Sequence, residues 1–133
     1  YRRADAVVSP SDVENLQDMA TRVYVDAAIK RYIVALINAT RHPAQYMGEE
    51  VARYVEYGAS PRGAISLVLV ARARAVLGGR DFVTPEDVKA VAVPVLAHRM
   101  TLTAQSWASG LSAQDVVVGL LDAVPTPATA RGR

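Results

Sequence analysis

Residues 26–41 have the sequence DAAIKRYIVALINATR, the strongest helical pattern in the chain. Six side chains recur there every three or four residues and would share one helix face: Ile29, Tyr32, Ile33, Leu36, Ile37 and Thr40. Asp26 stands at the expected N-cap, where its carboxylate accepts hydrogen bonds from the amides of the first turn. The stretch therefore predicts a core helix that ends at about Arg41.

Four further segments open with a hydroxyl residue at the N-cap position: Ser9, Ser60, Thr84 and Ser112. Proline follows the first three, and its fixed φ suits the first helical position. Apolar residues continue at helical spacing in each segment, while Gly78 and Gly79 end the one that begins at Ser60. The sequence thus predicts an all-α fold, a small bundle of about five helices. Pro94 would kink or shorten the fourth helix.

Two segments have weaker patterns. Residues 42–57 predict a loop and a short helix with Val51, Tyr54 and Val55 at helical spacing. Residues 98–110 predict an irregular or short extended segment, either a connection or a strand pair. The domain plan is a linker at 1–8, a helical domain at 9–124 and a disordered tail at 125–133, where breakers replace bulky apolar residues. Because the chain lacks an initiator methionine and a signal peptide, we expect it to be part of a longer protein.

Composition excludes several classes of protein. Hydrophobic residues make up 51% of 133, enough for one core, and the absence of cysteine excludes disulfides and thiol catalysis and suits a cytoplasmic protein. The longest apolar run, residues 90–97, is too short for a membrane span. The basic excess lies at the chain ends, since residues 6–130 hold 11 basic and 12 acidic side chains. No cationic face is therefore expected, and nucleic-acid binding rests on the overall charge alone.

Catalytic motifs are missing from this sequence. It has no phosphate-binding loop, no apolar run that ends in paired acids and no nucleophile elbow. His42 and His98 lack a partner at metal-binding spacing, so we expect a cap or a core contact for each. The carboxylate pairs Glu49–Glu50 and Glu86–Asp87 predict a solvated face and a favourable first turn. Arg72 and Arg74 predict partly buried stems with solvated heads, or contacts with a partner domain.

Arg62 is the unusual charge in the sequence. In the stretch YGASPRG, residues 57–63, a turn glycine, an N-cap serine and a proline place Arg62 in the first turn of a helix. A cation there opposes the helix dipole and costs roughly 0.3–1 kcal/mol relative to an acid. An anion bound by the arginine and the free amides would compensate for it. An ion pair with a surface acid such as Glu56 would do the same, and the residues alone leave both open.

The stretch GASPR, residues 58–62, resembles the sensor 2 motif of MoxR-family AAA+ ATPases. Further stretches also resemble the lid of that family, in the same order: residues 8–10, 31–34, 80–89 and 95–99. The resemblance implies a C-terminal lid that follows an α/β core absent from this chain. Arg62 would then be the sensor 2 arginine, which contacts the terminal phosphate of ATP, with Ser60 as the helix cap that positions it. Gly63 stands where the family commonly has alanine, which predicts a looser first turn.

The resemblance also implies what the parent protein does. We expect an ATPase that uses ATP and Mg, forms a homo-oligomeric ring, usually a hexamer, and acts like a chaperone on partners with von Willebrand factor A domains. The lid would contact its own core and neighbouring subunits. No cofactor should bind tightly to these 133 residues alone. The alternative is a stand-alone helical protein-interaction module without nucleotide.

Overall fold

The computed structural model describes residues 4–128, which are mostly helical. The α-helices are α1 (Pro10–Arg22), α2 (Ala27–Arg41), α3 (Ala44–Met47), α4 (Glu49–Ala52), α5 (Pro61–Leu77), α6 (Pro85–Leu96), α7 (Ala104–Ser109) and α8 (Ala113–Ala123). Two strands, β1 (Val55–Tyr57) and β2 (Thr101–Leu102), complete the fold, with a 3₁₀ turn at Ala97–Arg99. The predicted all-α bundle is confirmed: its five expected helices are the long ones, and three short helices join them.

Local chemistry sets most helix starts. Ser9, Thr84 and Ser112 each form a capping box, in which the hydroxyl accepts from the third amide of the helix and an aspartate accepts from the cap amide. Asp26 caps α2 by accepting from the amide of Ala28 at 2.7 Å. Because these bonds join residues two or three apart in sequence, the patterns at the caps predicted them correctly.

Helix α5 lies at the centre of the bundle, in contact with α1, α2 and α6, while α8 packs on α2, α3 and α6. The largest fully buried apolar side chains come from four helices: Ile33 and Leu36 of α2, Leu67 of α5, Val88 and Leu96 of α6, and Val116, Val117 and Leu120 of α8. Pro94 lies within α6, which continues only to Leu96. The side of α5 that includes Leu67 and Ala71 is therefore buried in the core, whereas Ile65 and Leu69 are exposed.

Two short segments differ from their patterns. Helix α4 ends at Ala52, so Val55 begins β1 instead of continuing a helix as its spacing predicted. The extended part of residues 98–110 is β2, which pairs antiparallel with β1, Val55 opposite Leu102. Neither predicted option included that partner, nor α7. Strand pairing joins residues far apart in sequence, and local spacing carries no record of it.

The loop between α5 and α6 is tied to the rest of the bundle. The amide of Tyr24 donates to the backbone carbonyl of Asp81 at 2.8 Å, and the amide of Val83 donates to the backbone carbonyl of Tyr24 at 3.0 Å. None of the helices within residues 4–128 is long and apolar enough to cross a membrane. Residues 125–128 continue irregularly after α8. The remainder of the predicted tail and the first three residues of the predicted linker lie outside the described residues, so both predictions stay as they were.

Candidate functional site

The first turn of α5 differs from the other long helices in having no side-chain cap. Ser60 occupies the predicted N-cap position with φ −80° and ψ 168°, and Pro61 follows it. The Ser60 hydroxyl makes no capping hydrogen bond, however, so its expected bond to the helix is absent. Because Pro61 has no N–H, the first amide of the helix belongs to Arg62. This positive helix end is thus not neutralised by a side chain of its own.

Arg62 is exposed and stands beside this uncapped end. Among residues 4–128 it has no ion pair, and the predicted alternative partner Glu56 does not reach it. It also makes no side-chain hydrogen bond to that part of the chain. The guanidinium and the backbone amide of Arg62 together form a site suited to an anion with several oxygen acceptors, whereas the amide of Gly63 donates to the carbonyl of Ser60 at 2.8 Å.

Two residues hold the start of α5 against the end of α2. The buried hydroxyl of Thr40 accepts a hydrogen bond from the amide of Ala59 at 2.9 Å and donates to the carbonyl of Ile37 at 2.7 Å. A side chain at Gly58 would overlap the carbonyl of Thr40, so only glycine allows this approach. Its φ is not positive, which means that Gly58 serves close packing and not the predicted turn conformation.

Sequence reasoning overlooked Thr40 as a positioning residue and treated it as part of the apolar face of α2. A hydroxyl at a buried helical position was the available signal, since buried polar groups require partners. Its partner could not be named from the sequence, because Ala59 lies 19 residues further along the chain.

A groove of about 260 Å³ lies between α2 and α5 next to this turn. Its walls are Val34, Ile37, Asn38, Arg41 and His42 of α2 and its C-cap, with Pro61 and Ala64 of α5. The lining combines an apolar surface with an amide, a guanidinium and an imidazole. His42 is the exposed C-cap residue of α2 and lines this groove. His98 is also exposed, and its Nδ1 lies 3.0 Å from the carbonyl oxygen of Pro94. Within the described residues no group of side chains could hold a metal ion.

Two of the other charges singled out from the sequence, Asp87 and Arg74, belong to a structural cluster at the opposite end of α5. Asp87, only 2% exposed, accepts two hydrogen bonds of 2.6 Å from Arg80 and lies 3.5 Å from the Nε of Arg74. Burial by itself would raise the pKa of Asp87, but the hydrogen bonds from Arg80 and Thr84 outweigh it and hold that pKa below its usual value. This paired carboxylate secures the α5–α6 connection and is not available to act as an acid or base.

Comparisons with known proteins agree on one relationship. Residues 47–118 match the AAA lid domain family. The chain is 36% identical over 125 residues to the Chaperone MoxR1 of Mycobacterium tuberculosis, covering 94% of this chain and 33% of the relative. It is 41% identical over 113 residues to the Protein MoxR of Paracoccus denitrificans, covering 79% and 32%.

A solved structure has the same fold. The crystal structure of a Cytophaga hutchinsonii protein assigned as an ATPase superposes with a TM-score of 0.83 at 38% identity, covering 89% of this chain and 36% of that one. The chain therefore spans about a third of the length of the relatives that it matches.

Proposed function

This chain belongs to the AAA lid domain family, as the lid of a MoxR-family AAA+ ATPase, and from that premise we propose that Arg62 senses the terminal phosphate of ATP. The observation that carries the proposal is the start of α5, where an exposed arginine without an ion pair among residues 4–128 meets a helix end without a side-chain cap. Both groups are donors that an anion satisfies.

The residues present fit a nucleotide phosphate. The guanidinium of Arg62 offers a planar fork of N–H donors that matches phosphate oxygens. Arg41 and His42 line the adjacent groove and add cationic or hydrogen-bonding capacity on the same side of α2. The described residues lack metal-binding clusters, so any Mg that accompanies ATP would be held by residues outside the lid.

Sensing follows from differential affinity. Bound ATP supplies a terminal phosphate whose hydrolysis changes the charge that faces Arg62. A lid whose arginine contacts that phosphate is more stable in the closed position with ATP than with ADP, so the balance between closed and open lids shifts on hydrolysis. Thr40 and Gly58 hold the start of α5 against α2. A displacement of Arg62 would therefore be passed on to α2.

The rest of the proposal concerns the parent protein. We propose that the parent is an ATPase that uses ATP and Mg, assembles into a homo-oligomeric ring such as a hexamer, and remodels or matures partner proteins. A relative named as a chaperone and a solved structure described as an ATPase support the chaperone and ATPase parts of this proposal. Partners with von Willebrand factor A domains and a cytoplasmic location remain expectations. Contacts of the lid with its own core and with neighbouring subunits would transmit the movement.

The direct test is Arg62→Ala in the full-length parent protein. Loss of one charged hydrogen bond, worth about 2 kcal/mol, should lower kcat roughly 10- to 100-fold while ATP still binds and circular dichroism stays unchanged. Arg22→Ala is the matched control, because Arg22 is an exposed arginine in a surface ion pair with Asp18 on α1. Wild-type turnover of Arg62→Ala would refute the sensor role.

The alternative function, a protein-interaction module without nucleotide, is supported by one observation. Trp107 is 88% exposed beside a cavity of about 360 Å³ lined also by Leu102 and Leu111. Exposed tryptophans are frequent anchors of protein interfaces. If Arg62→Ala left turnover unchanged and Trp107→Ala abolished partner binding, the interaction module would be the better interpretation.

A further inference from the structure

The start of α5 lies against the end of α6 as well as against α2. A Cβ added at Gly63 would lie 3.3 Å from the Cδ2 of Leu96 and 3.1 Å from the Cδ1 of Ile37, so both helices contact this turn closely. Directly after Leu96 the chain enters the 3₁₀ turn, which ends at half-buried Arg99. Arg99 is therefore close to the first two turns of α5.

The guanidinium of Arg99 joins the two helices. Its Nη1 donates to the carbonyl of Val95 at 2.7 Å, and its Nη2 donates to the hydroxyl of Ser66 at 3.1 Å. The Nη1 of Arg99 also contacts the Nε2 of His98. Among residues 4–128, Arg99 has no ion pair. Its charge suits the carbonyl end of α6, and its fork of donors reaches α5 at the same time.

Ser66 connects this contact to Arg62. It lies four residues after Arg62, so the two side chains share one face of α5 and are one turn apart. In an α-helix the amide of Ser66 also donates to the carbonyl of Arg62. On the α2 side, the hydroxyl of Thr40 holds the amide of Ala59, just before the helix. The turn that carries Arg62 is thus held from α2 at one end and from Arg99 at the other.

We propose that Arg99 is a positioning residue for Arg62: by joining Ser66 to the end of α6, it sets the place from which the Arg62 guanidinium meets the phosphate. This inference rests on the proposed function. A bidentate contact between a guanidinium and a phosphate depends on geometry. Small misplacement of a group that acts in the transition state lowers the rate far more than it weakens binding. Arg99 acts through the backbone of α5, without contacting the nucleotide.

The experiment is Ser66→Ala in the full-length parent protein, which removes the acceptor on α5 and leaves Arg99 attached to α6. Alanine favours the helix, so folding should be retained, as circular dichroism would verify. We expect kcat to fall about fivefold while the KM for ATP changes less than about twofold. Ser109→Ala is the matched control, because the Ser109 hydroxyl donates to the carbonyl of Ser106 within α7. It should leave kcat unchanged.

A double variant separates positioning from a merely structural role. In an Arg62→Ala background, Ser66→Ala should lower kcat by less than about 1.5-fold, because the hydrogen bond then has no arginine to position. A further fivefold loss in that background would overturn the proposal. If Ser66→Ala had wild-type kcat while Arg62→Ala did not, the positioning role would be refuted and the sensor would stand.

Hydrogen exchange of the same proteins gives a readout that is independent of turnover. The amides of residues 65–67 donate to carbonyls of the first turn of α5. Their exchange should be about three- to tenfold faster in Ser66→Ala than in Ser109→Ala, because the first turns open more often. If Arg62→Ala kept wild-type turnover, the sensor would be refuted, and exchange would still decide whether Arg99 holds α5. Equal exchange in both serine variants would overturn that contact and the positioning role with it.

Discussion

At the scale of single residues, Asp87 is a buried side chain whose position is fixed by several hydrogen bonds. It caps α6 through Thr84, pairs with Arg80 and is nearly inaccessible to solvent. Its charge is retained because hydrogen bonds from both partners replace the lost water. A buried carboxylate held in this way links the stability of the fold to pH.

We predict that Asp87→Asn makes the free energy of unfolding less dependent on pH. Because the folded pKa of Asp87 lies below the unfolded value of about 3.9, its stabilisation is complete above about pH 5 and is lost as the pH falls through the folded pKa. The variant should lose about 3 kcal/mol at neutral pH and less at about pH 2, because the lowered pKa of Asp87 stabilises the fold less below the unfolded pKa. Urea unfolding at both pH values measures this difference. Exposed Asp122→Asn is the control, and an equal loss at both pH values would contradict the argument.

A second residue-scale prediction concerns Gly58. The Cβ of Gly58→Ala would overlap the backbone carbonyl of Thr40, which cannot move without displacing the end of α2. Gly119→Ala is a matched control, since its Cβ would meet the end of the Met47 side chain, which can rotate away. We expect a loss of about 2 kcal/mol or more for the first and under about 1 kcal/mol for the second, by thermal unfolding. Equal effects would mean that the approach of the two backbones is not rigid.

Thr40→Val tests the hydrogen bond that accompanies this approach. It removes the acceptor of the buried Ala59 amide while keeping the volume, so it should cost about 1–3 kcal/mol. If the proposed function holds, it should also lower turnover of the parent protein without preventing nucleotide binding, because Arg62 is displaced. A stability loss with fully normal turnover would show that Thr40 does not position the arginine.

At the scale of elements, both helix propensity and packing act on Gly63 in the first turn of α5. Gly63 is buried, and an added Cβ would lie 3.1 Å from the Cδ1 of Ile37 and 3.3 Å from the Cδ2 of Leu96. Both atoms end flexible side chains. The position is thus tight, which explains glycine, yet tolerant of one methyl group, which is consistent with the alanine expected from the family resemblance.

Gly63→Ala should therefore be neutral or stabilising by up to about 1 kcal/mol, because helix propensity improves and the two side chains shift slightly. Gly63→Val, which adds a branched side chain, should be destabilising by about 1–3 kcal/mol. Thermal unfolding of both variants provides the comparison. A large loss from alanine would show that Ile37 and Leu96 cannot adjust.

At the scale of the whole molecule, the sequence has no phosphate-binding loop. Under the proposed function most contacts to ATP come from outside the chain. Isothermal titration of these 133 residues with MgATP should therefore detect binding only at about millimolar concentrations or not at all. Micromolar affinity would contradict the proposal that most contacts to ATP come from outside the chain.

Local chemistry made much of this protein predictable. The capping boxes at Ser9, Thr84 and Ser112 and the cap at Asp26 depend on residues within three positions, so the sequence located four long helices through them. The fifth start, at Ser60, was correct in position but lacks the predicted capping bond. Arg62 was identifiable because a cation at a helix start is unfavourable without a partner.

By itself, the sequence determined the all-α class, the five long helices and the unfavourable position of the Arg62 charge at a helix start. Hydrophobic periodicity, N-caps and helix-ending glycines all act over a few residues. Only the tertiary structure decided the β1–β2 pair, the Thr40–Ala59 hydrogen bond and the burial of Asp87. Each depends on which distant segments pack together, and that choice is made by the burial of the whole core.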